Sequence, residues 1–366
     1  MLTNGTFFLP GPTEVRPEIL QEMARPMMPH RSAGFEQIYA RCDNGMRPIF
    51  RTTRPVYMST SSATGLMEAA IRSAPPGTVL SLVMGAFSER FAQVAGSCGR
   101  TVVRDDVPPG MHHTAERVYA LLQASGAKVV TVAQSETSTG AFNDIEGIAR
   151  AAHAHGAVIL VDSVTGCGGA PLETDAWQLD FVFTGSQKAL ALPPGLALGV
   201  ASQAFIESAA ANADRGTYFD LVEIDNYAAK HQTPQTPAIS LFYALAAQVA
   251  AISDEGIAQR AARHREMQAI TIAWAEQLSR ELDPALGVLA VADGRSPTVT
   301  CVTLPATLTG PGVAAGVAAA GYMIGSGYGA LRDRTIRIGH MGDHTPEGVT
   351  RVLGVVRDVI TRQLGR

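Results

Sequence analysis

Short apolar runs recur along the chain from about residue 79, and stretches with helical spacing separate many of them. The apolar runs predict strands at 79–83, 101–104, 128–132, 158–161, 181–183 and 196–200. The intervening stretches predict helices at 88–96, 114–125 and 144–155. Strands that are apolar without alternation are covered on both faces, which is typical of parallel sheets. The pattern therefore predicts an α/β fold, in which helices flank a mainly parallel sheet.

The pattern changes after about residue 239. Residues 257–282 carry apolar side chains at helical spacing, which predicts one long helix. Further along, strands are predicted at 298–304 and 335–338, and helices at 313–320 and 346–364. This order predicts a smaller C-terminal α/β domain. The predicted division is an N-terminal segment (1–19), a large domain (20–256) and a small domain (257–366).

Composition narrows the classes of protein and partner. The chain of 366 residues is 46% hydrophobic and 17% charged, which favours a folded core over disorder. Its net charge of −4 offers no basic excess for a nucleic acid. The uncharged stretches 189–206 and 296–331 are interrupted by proline and glycine, so no membrane span is expected. Four well-separated cysteines and no secretory signal predict the cytoplasm.

Polar residues follow three of the predicted strands. They occupy 134–140, 162–166 and 184–190. In a mainly parallel sheet, ligands bind beyond the carboxyl ends of the strands. We therefore expect these three segments to converge on one cleft.

Lys188 and Asp162 are the strongest candidates for chemistry. A lysine in an apolar cleft has a lowered pKa and forms Schiff bases, whereas an ordinary lysine lies on the surface at a helix start. Asp162 ends an apolar strand, where it either caps the next segment or pairs with a protonated ring nitrogen. A lysine and such a carboxylate together are what pyridoxal phosphate requires, since the charged ring draws electrons from the substrate.

Other segments are compatible with the same chemistry, and each has a simpler explanation. The hydroxyl-rich turn 59–65 before a predicted helix either holds a phosphate or only caps the helix. Phe87 either stacks on a planar ring or packs in the core. Arg337 interrupts an apolar strand, so it binds a carboxylate of either a substrate or the protein. No spaced set of histidines and cysteines predicts a metal site.

Taken together, several motifs resemble the class V, fold-type I aminotransferases, especially the alanine–glyoxylate and serine–pyruvate branch. They are Leu9-Pro-Gly-Pro-Thr-Glu-Val15, Pro29-His-Arg-Ser32, Glu136-Thr-Ser-Thr-Gly140, Val161-Asp-Ser-Val164, Gly185-Ser-Gln-Lys-Ala-Leu190 and Arg337-Ile-Gly-His-Met-Gly342. The resemblance runs along almost the whole chain. It implies pyridoxal 5′-phosphate as cofactor and an N-terminal segment packed near the active site and the small domain.

The resemblance also implies individual roles. Lys188 would hold the cofactor as a Schiff base and move the substrate proton, Asp162 would bind the ring nitrogen, and Arg337 would bind the substrate carboxylate. The other residues implied to contact the cofactor are Ser62, Ala63, Thr64, Phe87, Thr137, Val164 and Gln187. Relatives are homodimers with shared sites, so Gln235 or Thr236 from a partner loop would reach the phosphate.

The activity so implied is transfer of an amino group from alanine or serine to glyoxylate or pyruvate, by a ping-pong mechanism through an aldimine and a ketimine. A 2-aminoethylphosphonate–pyruvate transaminase, a class V lyase or cysteine desulfurase, and a non-catalytic cofactor-binding protein are the alternatives. A desulfurase needs a reactive cysteine on a loop, whereas Cys42 and Cys301 lie in predicted regular structure. Arg31 and His340 lie in motifs of the family, but no residue identifies the substrate side chain.

Overall fold

The computed structural model describes residues 5–366. Fourteen strands occur in this part of the chain: β1 (Phe7–Phe8), β2 (Tyr57–Ser59), β3 (Val79–Val83), β4 (Val102–Asp106), β5 (Val129–Ala133), β6 (Ser135–Glu136), β7 (Ala141–Phe142), β8 (Val158–Asp162), β9 (Phe181–Gly185), β10 (Ala197–Ala201), β11 (Gly287–Val288), β12 (Val299–Thr303), β13 (Met323–Ser326) and β14 (Thr335–Gly339).

Twelve α-helices accompany these strands in the described residues: α1 (Pro17–Glu22), α2 (Ala33–Phe50), α3 (Ala63–Ser73), α4 (Ala86–Ser97), α5 (Ala115–Ser125), α6 (Ile145–Ala154), α7 (Gln203–Ala209), α8 (Leu221–Ala228), α9 (Ile239–Glu255), α10 (Ile257–Glu281), α11 (Gly310–Ala319) and α12 (Pro346–Gln363). None of these helices is long and apolar enough to cross a membrane.

The larger sheet has the order β2-β10-β9-β8-β5-β3-β4. Strands β4, β3, β5, β8 and β9 run parallel, while β10 is antiparallel to both β9 and β2. The two reversals bring β2 back to the direction of β9. The carboxyl ends of β2, β5, β8 and β9 therefore lie at one edge of the sheet, as the α/β prediction requires.

The smaller sheet has the order β1-β13-β14-β12-β11. Its C-terminal strands pair antiparallel, and the N-terminal strand β1 adds at the edge, parallel to β13. The first residues of the described chain are therefore part of the C-terminal sheet. This pairing places residues 9–15, which follow β1, between the two sheets.

Each sheet has its own hydrophobic core. The larger core packs helices on both faces of the seven-stranded sheet and includes Phe35, Leu66, Val130 and Phe183, all fully buried. The smaller core lies between the five-stranded sheet and helices α10, α11 and α12. The three-part division at residues 19 and 256 stays a prediction, although the long helix predicted at 257–282 is confirmed as α10.

The strands that the sequence did not predict are short or irregular. Strands β1, β6, β7 and β11 have two residues each, so they carry no readable periodicity. Strand β2, with three residues, follows the proline of an Arg54-Pro-Val56 segment. Strands β1 and β2 pair with strands distant in the sequence, β11 pairs with the next strand, and β6 and β7 pair with each other. Pairing, rather than a local apolar pattern, gives these segments their structure.

Arg260 of α10 joins the two parts of the molecule. Its side chain is only 3% exposed. Nη2 donates to the carbonyl of Ala189 at 2.7 Å and Nε to that of Gly168 at 3.1 Å, both in the larger part. Nη1 donates to Glu255 at 2.7 Å and to Asp343 at 3.0 Å. One buried guanidinium thus satisfies two carbonyls and two carboxylates, and one of the carbonyls is next to Lys188.

We expect Arg260→Ala to lower the free energy of unfolding by about 2–3 kcal/mol, because two half-buried carboxylates and two carbonyls lose their common donor. Urea unfolding followed by circular dichroism measures the change. Arg265→Ala on the same helix removes an exposed arginine and should change stability by less than about 0.5 kcal/mol. Equal stability of the two variants would show that the Arg260 contacts contribute nothing.

Candidate active site

The neighbouring strands β8 and β9 bring Asp162 and Lys188 to one edge of the sheet. Asp162 is the last residue of β8 and pairs in register with Phe183 of β9. The chain leaves β9 at Gly185 and reaches Lys188 three residues later. The backbone N–H of Ser163 donates to the carbonyl of Phe183 at 2.9 Å, which fixes the two strand ends against each other. The convergence predicted for these two segments is found.

The N-terminal segment covers Lys188. The Lys188 ammonium donates to the carbonyl of Pro10, and the Thr13 hydroxyl donates to the carbonyl of Lys188 at 3.0 Å. The N–H of Thr13 donates to the carbonyl of Gln187, also at 3.0 Å. Gly11 has a φ of +115°, which favours glycine, and a Cβ there would overlap the end of the Lys188 side chain as it is placed. Lys188 is 6% exposed as a result.

Burial alters the acid–base behaviour of Lys188. Burial lowers its pKa to about 8, and the nearby positive charge of Arg337 acts in the same direction. The negative charges of Asp162 and Glu136 oppose this lowering of the pKa. No carboxylate of the described residues lies within ion-pair distance of the amine. A substantial fraction of the amine is therefore neutral, and nucleophilic, near neutral pH.

Asp162 is buried without a cation. It is 4% exposed, and one of its oxygens accepts a hydrogen bond from the N–H of Val164 at 2.8 Å. Burial raises its pKa to about 7, and the Val164 hydrogen bond acts against that rise. Asp162 makes no ion pair within residues 5–366. A positively charged ligand group at this carboxyl would relieve the cost of burying it.

Phe87 and the 162–165 turn present apolar and hydroxyl groups around Lys188. The amine of Lys188 lies 5.7 Å from the centre of the Phe87 ring. The Val164 side chain is half-buried in the turn after β8. The hydroxyls of Thr137 and Thr165 are 2.5 Å apart, which ties the end of β6 to this turn. Phe87, Thr137 and Val164 thus follow three different strands, β3, β6 and β8.

Arg337 reaches the site from the smaller sheet. Its Nε donates to the carbonyl of Ser326 at 2.8 Å, and Nη1 donates to the carbonyl of Thr137 at 3.3 Å. The guanidinium also lies 5.5 Å from the ring centre of Tyr328. Arg337 has no ion pair within the described part of the chain, so it is not used to neutralise a protein carboxylate. Burial lowers its pKa, as expected for a cation that lacks an anion.

The candidate phosphate turn follows β2. Ser62 is the N-cap of α3, and its side chain makes no capping hydrogen bond. Ala63 is buried and Thr64 is half-buried in the first turn of that helix. Strand β2 ends at Ser59, which pairs with Ala197, and Ala197 pairs with Gly185. The turn therefore lies at the same edge of the sheet as Gln187 and Lys188.

The loop 233–237 lies next to Thr60. The N–H of Ala238 donates to the Thr60 hydroxyl at 3.0 Å. In this loop Gln235 is half-buried and Thr236 is exposed. The small cavity between the loop and Thr60 is lined by Ser59, Tyr218, Gln235 and others. Both candidate residues are thus on the surface at the edge where the phosphate turn lies.

Two residues of the family-like motifs serve other contacts. The Arg31 guanidinium donates to the carbonyls of Thr233 at 2.6 Å and Pro234 at 2.9 Å, so it holds the 233–237 loop rather than Lys188. His340 is fully buried, and its Nε2 lies 2.8 Å from the Thr300 hydroxyl. Burial lowers the pKa of His340 to about 3, so the ring is neutral.

Three residues at the site were not singled out from the sequence. Gly11 lies against Lys188, Tyr328 lies 5.5 Å from Phe87 between ring centres, and Glu136 is fully buried beside the first turn of α4. Gly11 and Glu136 occur in the Pro-Gly-Pro and Glu-Thr-Ser motifs, which were their only signals. Tyr328 had no signal, because an isolated tyrosine after a glycine is common in loops.

The four cysteines are free, and three of them are buried. Cys42, Cys167 and Cys301 are buried, and burial raises the pKa of each thiol, to about 12 for Cys167 and about 11 for Cys301. Cys98 is half-buried at the end of α4 and its pKa is also raised. Residues 5–366 contain no cluster of histidine, cysteine and carboxylate side chains able to hold a metal ion. None of these thiols has the lowered pKa of a nucleophilic cysteine.

Comparison with known proteins identifies relatives over the whole chain. The family model for class-V aminotransferases matches residues 14–327. An aminotransferase of Methanocaldococcus jannaschii is 34% identical over 364 residues, covering 98% of this chain and 92% of that protein. L-aspartate–glyoxylate aminotransferase of Paracoccus denitrificans is 30% identical, with 94% and 88% covered. The crystal structure of alanine–glyoxylate aminotransferase from Nostoc sp. superposes with a TM-score of 0.90 at 28% identity, covering 97% of this chain and 95% of that one.

We expect Lys188→Met to stabilise the ligand-free protein at pH 7. The pKa of about 8 in the folded protein lies below the usual lysine value of 10.5, so folding opposes protonation of this amine. The resulting penalty is fully present below pH 8 and fades as pH rises towards the pKa of the unfolded chain. The gain at pH 7 should be at most roughly 3 kcal/mol, since each tenfold change in the acid dissociation constant corresponds to about 1.4 kcal/mol.

Urea unfolding of both proteins at several pH values measures this difference. The stability gain should shrink between about pH 8 and pH 10.5. Lys230→Met on the surface serves as the control and should show no such trend. A gain for Lys188→Met that is constant with pH would contradict the lowered pKa.

Proposed function

Since this chain belongs to the class-V aminotransferase family, we propose that it transfers an amino group from a small amino acid, alanine or serine, to glyoxylate or pyruvate. Membership of the family implies pyridoxal 5′-phosphate as the cofactor. The proposal rests on the buried amine of Lys188, whose pKa is lowered and which interacts electrostatically with an unpaired carboxyl, Asp162, and an unpaired guanidinium, Arg337. Those are the three groups that transamination of an α-amino acid needs.

The residues present fit the cofactor. The carboxyl of Asp162 is buried with no cation, and a protonated pyridine nitrogen supplies one. Phe87 and Val164 offer surfaces for the two faces of the ring, and Thr137 offers a hydroxyl. For the phosphate, the first turn of α3 at Ser62, Ala63 and Thr64 offers N–H groups and the positive end of a helix. The Gln187 amide is a further donor at the same edge of the sheet.

Lys188 is the proposed proton carrier. When bound, the cofactor withdraws electrons from the substrate α-carbon, so the α-proton becomes acidic. A neutral amine with a pKa of about 8 both accepts that proton and returns it near neutral pH. The carbonyl of Pro10 and the Thr13 contact orient the side chain and exclude water from this side.

Arg337 is the proposed carboxylate-binding residue. Two of its nitrogens are held by the carbonyls of Ser326 and Thr137, which fixes the plane of the guanidinium. Its Nη2 donates to no protein atom in the described residues and is free for a ligand. A planar guanidinium binds a carboxylate through two parallel hydrogen bonds, which orients an amino acid or an oxo acid in the same way in both half-reactions.

The proposed substrates rest on the relatives. The names of the Paracoccus and Nostoc proteins both specify glyoxylate as acceptor, and the Nostoc name specifies alanine as donor. Arg337 accounts for one carboxylate, whereas Arg90, which also has no ion pair in the described residues, lies 5.2 Å from the ring centre of Phe87. A panel of donors that includes L-aspartate and 2-aminoethylphosphonate tests the alternatives to alanine and serine.

We further propose a cytoplasmic homodimer with shared active sites. The loop 233–237 lies at the edge of the sheet next to the phosphate turn, and Thr236 is exposed there. Arg31 holds the backbone of this loop in a fixed position, which a loop that reaches into a second subunit requires. Free cysteines in the described chain accord with a reducing compartment.

Lys188→Ala should abolish amino transfer from alanine or serine to glyoxylate, by about 10³-fold or more in kcat, because the proton carrier is lost. Amino acid and oxo acid products are measured by chromatography. Lys230→Ala removes an exposed lysine and should keep normal activity. Full activity of Lys188→Ala, or no transfer by the native protein from any amino acid or 2-aminoethylphosphonate, would refute the proposed function.

Mixing two inactive variants tests the shared site. One carries Lys188→Ala, and the other carries Gln235→Ala with Thr236→Ala. If the loop serves the partner's site, mixed dimers contain one site with an intact lysine and an intact loop. Activity should then return to roughly a quarter of the native value after the subunits are exchanged. No recovery in verified mixed dimers would show that the loop acts within its own chain.

A further inference from the structure

Glu136 is a fully buried acid that the chemistry above does not use. It ends the two-residue strand β6, and its exposed fraction is 0%. Unlike most buried carboxylates it has no ion pair within residues 5–366. A buried carboxylate without a cation is costly unless other donors satisfy it. The groups that donate hydrogen bonds to Glu136 therefore indicate its role.

Helix α4 and one serine supply those donors. One oxygen accepts from the N–H of Ser88 at 3.0 Å, from the Ser88 hydroxyl at 2.9 Å and from the N–H of Phe87 at 3.1 Å. The other accepts from the hydroxyl of Ser138 at 2.6 Å and from its N–H at 3.1 Å. Three of these five contacts are with backbone N–H groups, which can only donate, so Glu136 accepts there, as suits a carboxylate.

The Glu136 carboxylate therefore caps the N-terminus of α4, although it belongs to strand β6. The N-cap residue of this helix is Gly85, which has no side chain able to cap it. A Cβ at Gly85 would overlap Ser138 and Glu136, so the glycine makes room for the acid. The first-turn N–H groups of a helix otherwise lack partners, and negative charge is favourable there. Glu136 supplies both the acceptors and the charge.

Phe87 is in this first turn, so the cap controls where its ring lies. Its N–H is one of the donors to Glu136, and its ring lies 5.7 Å from the amine of Lys188. The negative charge of Glu136 also acts on the amine of Lys188, on Asp162 and on Arg337. The carboxylate thus lies among the charged groups of the site while its contacts are with the element that carries the aromatic ring.

We propose that Glu136 is a positioning residue for cofactor binding: its carboxylate fixes the first turn of α4 and thereby holds the Phe87 ring in place for stacking on pyridoxal phosphate. The inference rests on the proposed role of Phe87 in the site. If the inference is right, Glu136 affects the affinity for the cofactor through Phe87. Substituting one of the two residues should then reduce the effect on this affinity of substituting the other.

A double-mutant cycle on pyridoxal phosphate affinity tests this inference. The variants are Glu136→Gln, Phe87→Leu and the two combined, and the dissociation constant is measured by absorbance titration of the cofactor-free proteins. In Glu136→Gln one carboxylate oxygen becomes an NH₂ group, which cannot accept the hydrogen bonds that α4 or Ser138 donates. The first turn of α4 is then held less firmly. Each single variant should bind the cofactor about tenfold more weakly, or worse.

The combined variant should bind about as weakly as the weaker single variant, because the two changes remove the same interaction. Additive effects, or native affinity in Glu136→Gln, would overturn the inference. Glu89→Gln is the matched control: it neutralises an exposed acid in the same helical turn and should change affinity by less than roughly twofold.

Thermal unfolding of the cofactor-free variants separates positioning from loss of folding. If Glu136→Gln does not fold, Ser138→Ala takes its place in the cycle, since it removes the shortest contact to the carboxylate and leaves the acid. Its smaller effect should likewise disappear in the Phe87→Leu background, and persistence there would overturn the inference. A native protein that binds no pyridoxal phosphate would instead refute the proposed function.

Discussion

The amine of Lys188 is buried without a carboxylate within ion-pair distance, and the surrounding structure follows from that constraint. A protonated amine in such a place is unstable, so its pKa falls to about 8. The carbonyl of Pro10 is its only hydrogen-bond acceptor in the described residues, and the neighbouring cation Arg337 adds to the penalty. A buried lysine with a lowered pKa is typical of sites where a neutral amine acts as a nucleophile or accepts a proton. Its burial in turn depends on the N-terminal segment, which closes the site only because Gly11 leaves room for the lysine side chain.

Two sheets have to be held together for this site to exist. Asp162 ends strand β8 of the larger sheet and Lys188 follows β9 of the same sheet, whereas Arg337 belongs to the smaller sheet. Strand β1 pairs with β13 in the smaller sheet, and the chain then passes directly over Lys188. The buried Arg260 makes the second connection, from α10 to the carbonyl of Ala189. The position of the Arg337 guanidinium relative to the Lys188 amine therefore depends on contacts outside the proposed site.

Much of this arrangement could be predicted from the sequence, and the parts that could not have physical reasons. Apolar runs such as 158–161 predict strands because each is buried on both faces, and this placed Asp162 at a carboxyl edge. The motif around Lys188 identified the lysine. In contrast, β1 has two residues and pairs with β13 at the other end of the chain, so the position of the N-terminal segment was expected only from the resemblance. Strand β6 also has two residues and carries no readable periodicity. The contacts of Glu136 with α4 join residues about fifty positions apart, and no local pattern reports them.

We propose that one buried lysine, one buried carboxyl and one unpaired guanidinium form a single site for amino transfer with pyridoxal phosphate. The first measurement to make is the visible absorption spectrum of the purified protein, with L-alanine and then glyoxylate added. We expect a yellow protein whose absorption band is bleached by the amino acid and restored by the oxo acid. A band that is bleached only by another donor would support a transaminase with a different substrate. A protein that stays colourless after incubation with pyridoxal phosphate would refute the proposed site.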